Sequence, residues 1–307
     1  MKVIISLIFV FIAFIDYTLP MFSQQSFADL MLGNMYGKSK QEVYQYLKAF
    51  PLKNDNGELD YTILEPLLSE TKKAHDTVLI NSNIYLGDQW CNGMGIYFYM
   101  GKAYCVYTTD GGFSIGKELT TILGKGKAKK RKVSAYGGID IVETTKWNTS
   151  DFRVVYAEGG VVPTFFEVIY TPISKSIQKP ILKIYMEDGN RNTKPYHVEW
   201  SSDSNNVTNH CSSINKLELV GNVQNLSFVV QCLNGNEVYR KDIAQSKGKK
   251  TILTYKDLPE GCDPVYIGKE WGMEDNESVQ SSRYLFKLFE GEYEHFSGSL
   301  YLDDCMD

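Results

Sequence analysis

What the chain lacks narrows it first. Its 307 residues include only 4 histidines, no C-x-x-C pair and no local cluster of cysteine with histidine. The ligand spacings of zinc sites are therefore missing, and no metal or cofactor is expected. Beyond Ile15 no segment approaches the ~20 apolar residues that carry a helix across a bilayer. Charge of neither sign dominates: charged residues make up 22% and the net charge is -5. That balance argues against an acidic disordered tail and against a nucleic-acid-binding chain. No cysteine stands near residues 20–30, which excludes a lipid anchor on a cysteine at that place.

What is present suits a globular protein. With 43% hydrophobic and 13% aromatic residues, the chain can bury one large core or two ordinary ones. Lys2 precedes an apolar run from Val3 to Ile15, followed by polar residues and the small-x-small triplet Ser26-Phe27-Ala28. This pattern reads as a secretory signal peptide over residues 1–28, cut after Ala28 or earlier near Ser23. The expected location is outside the cytoplasm: secreted, periplasmic or on the cell surface. Six cysteines would then meet oxidising surroundings. Alternation places Cys105 and Cys232 on core faces, whereas Cys211, Cys262 and Cys305 fall in polar loops or the tail, where a bridge fits more easily.

Two rhythms follow. Ser39-Lys40-Gln41-Glu42 is a capping box, and Val43, Tyr46, Leu47 and Phe50 continue at helical spacing until Pro51. A second helical segment is expected between Tyr61 and His75, restarted at Pro66. A hairpin over Gly95–Thr108 turns at Gly101-Lys102, setting Phe98 opposite Cys105. Another helix carries Ile115, Leu119, Ile122 and Leu123 on one face and ends at Gly124. Strands are expected at 133–136, 139–144, 152–157 and 161–170. Residues 174–180 are polar and bounded by proline, as in a linker. Beyond it the pattern is almost all short strands separated by turn residues, such as Asn234-Gly235-Asn236. The expected architecture is an α+β domain over 29–173, helices packed on antiparallel meanders, then an all-β sandwich over 181–307.

The start GKSKQEVYQYL and the hairpin YFYMGKAYCVY resemble the tandem helix-plus-meander modules of small exported bacterial proteins, the beta-lactamase inhibitory proteins and outer-membrane assembly lipoproteins. The run FVVQCLNGNEVYRKDI followed by DLPEG resembles the immunoglobulin-like modules of secreted bacterial proteins. The first resemblance implies a binding scaffold without an active site, and neither carries a functional residue across.

Four local features bear on chemistry. Gly112-Phe113-Ser114-Ile115-Gly116 fits the G-x-S-x-G pattern of a serine hydrolase. Its preceding strand belongs to an antiparallel hairpin, so Ser114 reads as a helix cap; a catalytic Ser114 would need a base, for which His295 best suits the chain order. Cys91 lies before a hairpin with nothing evident to lower its pKa, which points to a structural thiol. Asn54-Asp55-Asn56-Gly57 lacks both anchoring ligands of a calcium loop and reads as a polar turn. Last, Lys125, Lys127, Lys129, Lys130, Arg131 and Lys132 put six positive charges into eight residues. The bland reading is a solvated loop between helix and strand. The functional reading is a contact for an anionic glycan, an acidic protein or membrane head groups. No aromatic residue interleaves these charges, which argues against nucleic acid. Tyr97, Tyr99 and Tyr104 fall on the hairpin face opposite the core, a row able to bind sugars or to pack under a neighbour. The expectation is a non-enzymatic exported binding module.

Overall fold

The computed structural model describes residues 26–135, 138–158, 164–187, 196–202, 207–211, 213–232, 234–254, 257, 264–267 and 279–303. The apolar run Val3 to Ile15 lies outside them, as do Cys262 and Cys305. The described chain is mostly antiparallel β-sheet.

The first described helix, α1 (Phe27–Leu32), begins inside the segment expected to be removed. Ser26 caps it reciprocally with Asp29, and Phe27, Ala28, Leu30 and Met31 are all buried. Phe27 stacks on Phe113 with ring centroids 5.2 Å apart. A cut after Ala28 would sever a capped helix and strip a core aromatic, whereas a cut near Ser23 would leave both intact. The next helix, α2 (Lys40–Leu47), has the anticipated Ser39–Glu42 capping box and buries Val43 and Leu47. The Tyr61–His75 segment is shorter than expected: a 3-10 helix covers Thr62–Leu68 with Pro66 inside it, and His75 already opens a strand.

The eight-stranded sheet comprises β1 (His75–Ile80), β2 (Ile84–Leu86), β3 (Gln89–Tyr99), β4 (Lys102–Gly112), β5 (Lys127–Ala135), β6 (Gly138–Asn148), β7 (Phe152–Glu158) and β8 (Phe165–Tyr170). Its order is β1-β3-β4-β8-β7-β6-β5, with β2 paired to β3, so β5 is an edge. Helix α3 (Gly116–Leu123) joins β4 to β5. On one face, Ile96, Phe98, Val106, Val154, Phe166 and Val168 share a core with α1, α2 and Leu119. Ile122, expected on that face, is 51% exposed.

The β3–β4 hairpin turns one residue earlier than expected. Met100 and Gly101 occupy the turn with φ of 47° and 71°, so both central residues are left-handed, as a type I′ turn requires. Phe98 consequently pairs with Ala103, and a bulge carries Cys105 opposite Tyr97. Cys105 is buried, yet it lies on the opposite face from the helices.

After a short helix, α4 (Thr171–Ser174), two more sheets form. One has the order β10-β9-β12-β15, from Tyr196–Trp200, Ile181–Glu187, Ser213–Val220 and Lys249–Thr254. The other has the order β11-β18-β17-β13-β14, from Val207–Cys211, Tyr293–Asp303, Val279–Glu290, Val223–Gln231 and Glu237–Ser246; β16 (Pro264–Ile267) pairs with β17. Only β11 and β18 run parallel among the described pairs, and β11 places Cys211 in a strand where a loop was expected. Leu182, Ile184, Leu217 and Ile252 of one sheet and Phe228, Val230, Phe286 and Leu300 of the other belong to one buried cluster. Trp200 closes it, lying against Gly298, where an added Cβ would sit 2.5 Å from the ring. Cys232 is buried as expected and is disulfide-bonded, whereas Cys91 and Cys105 are buried thiols.

The segment after α4 is clamped at residue 178. Gln178 is 7% exposed; its backbone N–H donates to the Tyr99 hydroxyl (3.1 Å), and its side chain exchanges hydrogen bonds with the Gln224 backbone (2.6 and 3.0 Å). His75 Nε2 lies 3.0 Å from its carbonyl. Glu290 accepts from the Tyr99 hydroxyl (2.7 Å) and from His295 Nε2 (2.9 Å). Backbone bonds from Ala74 to Glu294 and from Glu294 to Lys72, both 2.7 Å, complete the seam.

Burial alone would raise the Glu290 pKa, but hydrogen bonds from His295, Tyr99 and Gln178 outweigh it and hold the carboxyl below its ordinary 4.5. A depressed carboxyl contributes stability that is complete above the unfolded value and lost as pH falls through the folded one. Melting temperatures of the wild type and Glu290→Gln should therefore differ most at neutral pH and converge below 4.5. A gap that persists undiminished to about pH 2 would exclude this role.

Candidate functional site

The run KGKAKKRK has no hydrophobic alternation of its own, yet most of it is strand. Gly124, at φ 79°, ends α3, and its carbonyl accepts the Trp147 indole N–H at 2.9 Å. Gly126 passes so close to Trp147 that a Cβ there would meet the ring at 2.7 Å, which only glycine avoids. From that fixed point the chain pairs with β6 in continuous register, from Lys127 opposite Lys146 to Ala135 opposite Gly138. This corrects the loop reading, and the ladder of the partner strand is the cause.

A strand sends successive side chains to opposite faces, so the charges divide. Lys130 and Lys132 share the helix-side face, and Lys130 is paired there to Glu143 at 3.1 Å. Lys127, Lys129 and Arg131 take the other face, with Lys146 of β6. Lys125 precedes the strand. On that second face the four cations border a groove of about 650 Å³ whose floor is Val142, Val155, Ala157 and Phe165. Val142 is 1% exposed although it does not belong to the core that the sheet shares with the described helices. Among the described residues none of the four cations forms an ion pair, and Lys127 stands directly opposite Lys146.

The same face continues across the sheet through Val155, Glu167 and Tyr107, each the cross-strand partner of the last. Burial pushes the Glu167 carboxyl up, opposed by Arg153 and Lys146. Tyr107 lies over Gly95, where an added Cβ would be 2.1 Å from its ring, and stacks on Tyr97 at 5.4 Å. Tyr97 and Tyr104 share the row as expected, whereas Tyr99 is drawn into the seam with Gln178 and Glu290. Folding thus supplies the aromatics that the basic run lacks. Lys146, Val142, Val155 and Phe165 were not singled out from sequence. Their signal was the alternation of Val142, Thr144 and Lys146 against Glu143, Thr145 and Trp147, which becomes readable only once the β5 register is known.

The helix-side face holds a second cavity, about 660 Å³, around Ser114, Lys117, Ile141, Glu143 and Glu158. Ser114 is not the cap of α3. The helix starts at Gly116 with Ile115 in the cap position and no side-chain cap bond. Two buried neighbours, Phe113 and Ile115, fix the chain there, and the Ile115 N–H donates to the Tyr156 hydroxyl at 3.3 Å. Ser114 Oγ instead donates to Glu158 Oε1 at 3.1 Å, and Tyr156 lies 2.9 Å from the other carboxylate oxygen. β4 is antiparallel to both its neighbours, unlike the strand of a nucleophile elbow.

His295 is neither beside Ser114 nor in an exposed loop. It sits on β18, 2% exposed, bonded to Glu290 with its ring 5.5 Å from His75. Cys91 is buried in β3 opposite Gly111. In the Asn54–Gly57 turn the Asn54 side chain accepts the backbone N–H groups of Asn56 and Glu58, which leaves it occupied by its own loop.

Compared with known proteins, the chain matches no family model, no curated protein and no solved structure. Because Ser114 neither caps a helix nor meets a histidine among its described partners, Ser114→Ala should change stability by less than the ~1 kcal/mol of a lost cap. An active-site phosphonate should leave Ser114 unmodified, as read by peptide mass; stoichiometric labelling would restore the hydrolase reading.

Proposed function

We propose that the chain is an exported, non-enzymatic binding module in which an N-terminal α+β domain, a connector at 174–180 and a C-terminal β-sandwich present one open sheet face to anionic ligands. The observation that carries this reading is Lys127 opposite Lys146. Like charges directly across a ladder destabilise it. On the helix side the equivalent clash, Glu143 opposite Glu158, is relieved by Lys130 and by the Ser114 and Tyr156 hydroxyls. On the groove side no ion pair among the described residues does the same for the lysines, whose nearest counter-charge in the cross-strand row is Glu167, two strands from Lys146, and a bound anion would.

Charge on an edge strand also deters edge-to-edge pairing. That explanation covers β5 but not Lys146, which stands on an interior strand. The bridged Cys232 supports an oxidising location. The polyanion partners in view are an anionic glycan, an acidic protein or membrane head groups, which share this electrostatic demand.

Two outcomes follow. On a sulfated-polysaccharide column, Lys127→Gln/Lys129→Gln/Arg131→Gln should lose retention, while Lys125→Gln/Lys130→Gln/Lys132→Gln should keep most of it. Both variants remove three charges, so equal loss would mean that net charge and not the groove face retains the protein. Retention should fall steeply as salt shortens the screening length from ~10 Å at 0.1 M toward ~3 Å at 1 M. Because Ser26 caps α1 and Phe27 opens it, N-terminal sequencing of the exported protein should begin at or before Ser26, which favours a cut near Ser23. A mature chain starting at Asp29 would contradict it.

A further inference from the structure

Resting on that reading, we infer that the groove between β5 and β8 is built for a single-chain anionic lipid, its head group held by Lys127, Lys129, Arg131 and Lys146 and its chain laid on the apolar floor. A linear polyanion would need only the cations. Here they border a half-open groove of about 650 Å³, within the range of small-molecule sites. Its floor offers half-buried Val155, Ala157 and Phe165 on two adjacent strands, with Thr144 beside them and Val142 already covered at 1% exposure.

Burial of a polar glycan against those side chains would remove less apolar surface from water than an alkyl chain of similar length. Charge chooses the sign of the head group. The cations stand on β5 and β6, and the floor runs from β6 to β8. With strands ~4.8 Å apart, Lys129 and Phe165, at the ends of the cross-strand row that runs through Thr144 and Ala157, are separated by roughly 14 Å. A head group on the cations therefore leaves its chain directed along the floor. The lysine and arginine stems extend the apolar wall while their charged ends remain wet.

The test uses cis-parinaric acid, a fluorescent fatty acid that brightens in apolar surroundings, titrated into the mature protein. The expected result is saturation at one per chain, displacement by oleate, and no displacement by inorganic phosphate or methyl oleate. Lys127→Gln/Lys129→Gln/Arg131→Gln should weaken binding by about tenfold or more, the equivalent of at least one charge-assisted contact. Phe165→Ala should weaken it as well while preserving retention on the sulfated column, which also reports that the variant is folded.

Several results would overturn the inference. Column retention without parinarate binding would leave the anion-binding reading standing and remove the lipid. Binding to anionic vesicles but not to monomeric fatty acid would assign the face to a membrane surface. Undiminished parinarate binding by the charge variant would place the lipid elsewhere on the molecule. Loss of both column retention and parinarate binding in the wild type would end both readings.

Discussion

The pairing of Lys127–Ala135 with Gly138–Asn148 governs the arrangement of charge on this molecule. A nine-residue segment rich in lysine has little intrinsic reason to be a strand, and its state comes from the partner that supplies its backbone hydrogen bonds. Once it is a strand, the two-residue period is obligatory. Each basic side chain then has a defined face, and a run that reads as one patch becomes two surfaces. On one, Glu143 pairs with Lys130; on the other, the cations meet Lys146 beside the apolar floor.

The second constraint lies at the seam. Gln178, Glu290, Tyr99, His75 and His295 form a mostly buried polar network between the eight-stranded sheet and the strands that follow it. Buried polar groups shut off from water tend to satisfy one another, and in this network His295 Nε2 is bonded while its Nδ1 has no hydrogen-bond partner. The connector is therefore held through Gln178, while Lys175 and Ser176 remain exposed. This network also absorbs the histidine that a hydrolase would have required, since His295 is engaged with Glu290 on β18.

The two sides of the eight-stranded sheet differ in how they handle like charges. Glu143 and Glu158 sit opposite one another, yet each has compensating partners. Among the described residues Lys127 and Lys146 form no ion pair. Local choices that conflict with the fold are expected at functional sites, and this like-charge pair is the ground on which the groove is proposed as one.

Much of the fold was legible because its signals are local. Ser39 and Glu42 cap the helix that buries Val43 and Leu47, and the alternation of Leu226, Phe228 and Val230 marks a strand half in the core. The hairpin register was misread because glycine was given the first turn position, whereas Met100 adopts the left-handed conformation. Ser26-Phe27-Ala28 was ambiguous for a different reason: small residues around an aromatic suit both a peptidase and a capped helix, and only the contact of Phe27 with Phe113 separates them. Of the site, the sequence determined the cations of one strand. It could not determine their faces, because KAKKRK carries no hydrophobic period to announce one. Lys146, the apolar floor and the tyrosine row come from other strands, and sheet pairing alone brings them together, since cross-strand neighbours are chosen by hydrogen-bond register and not by distance along the chain.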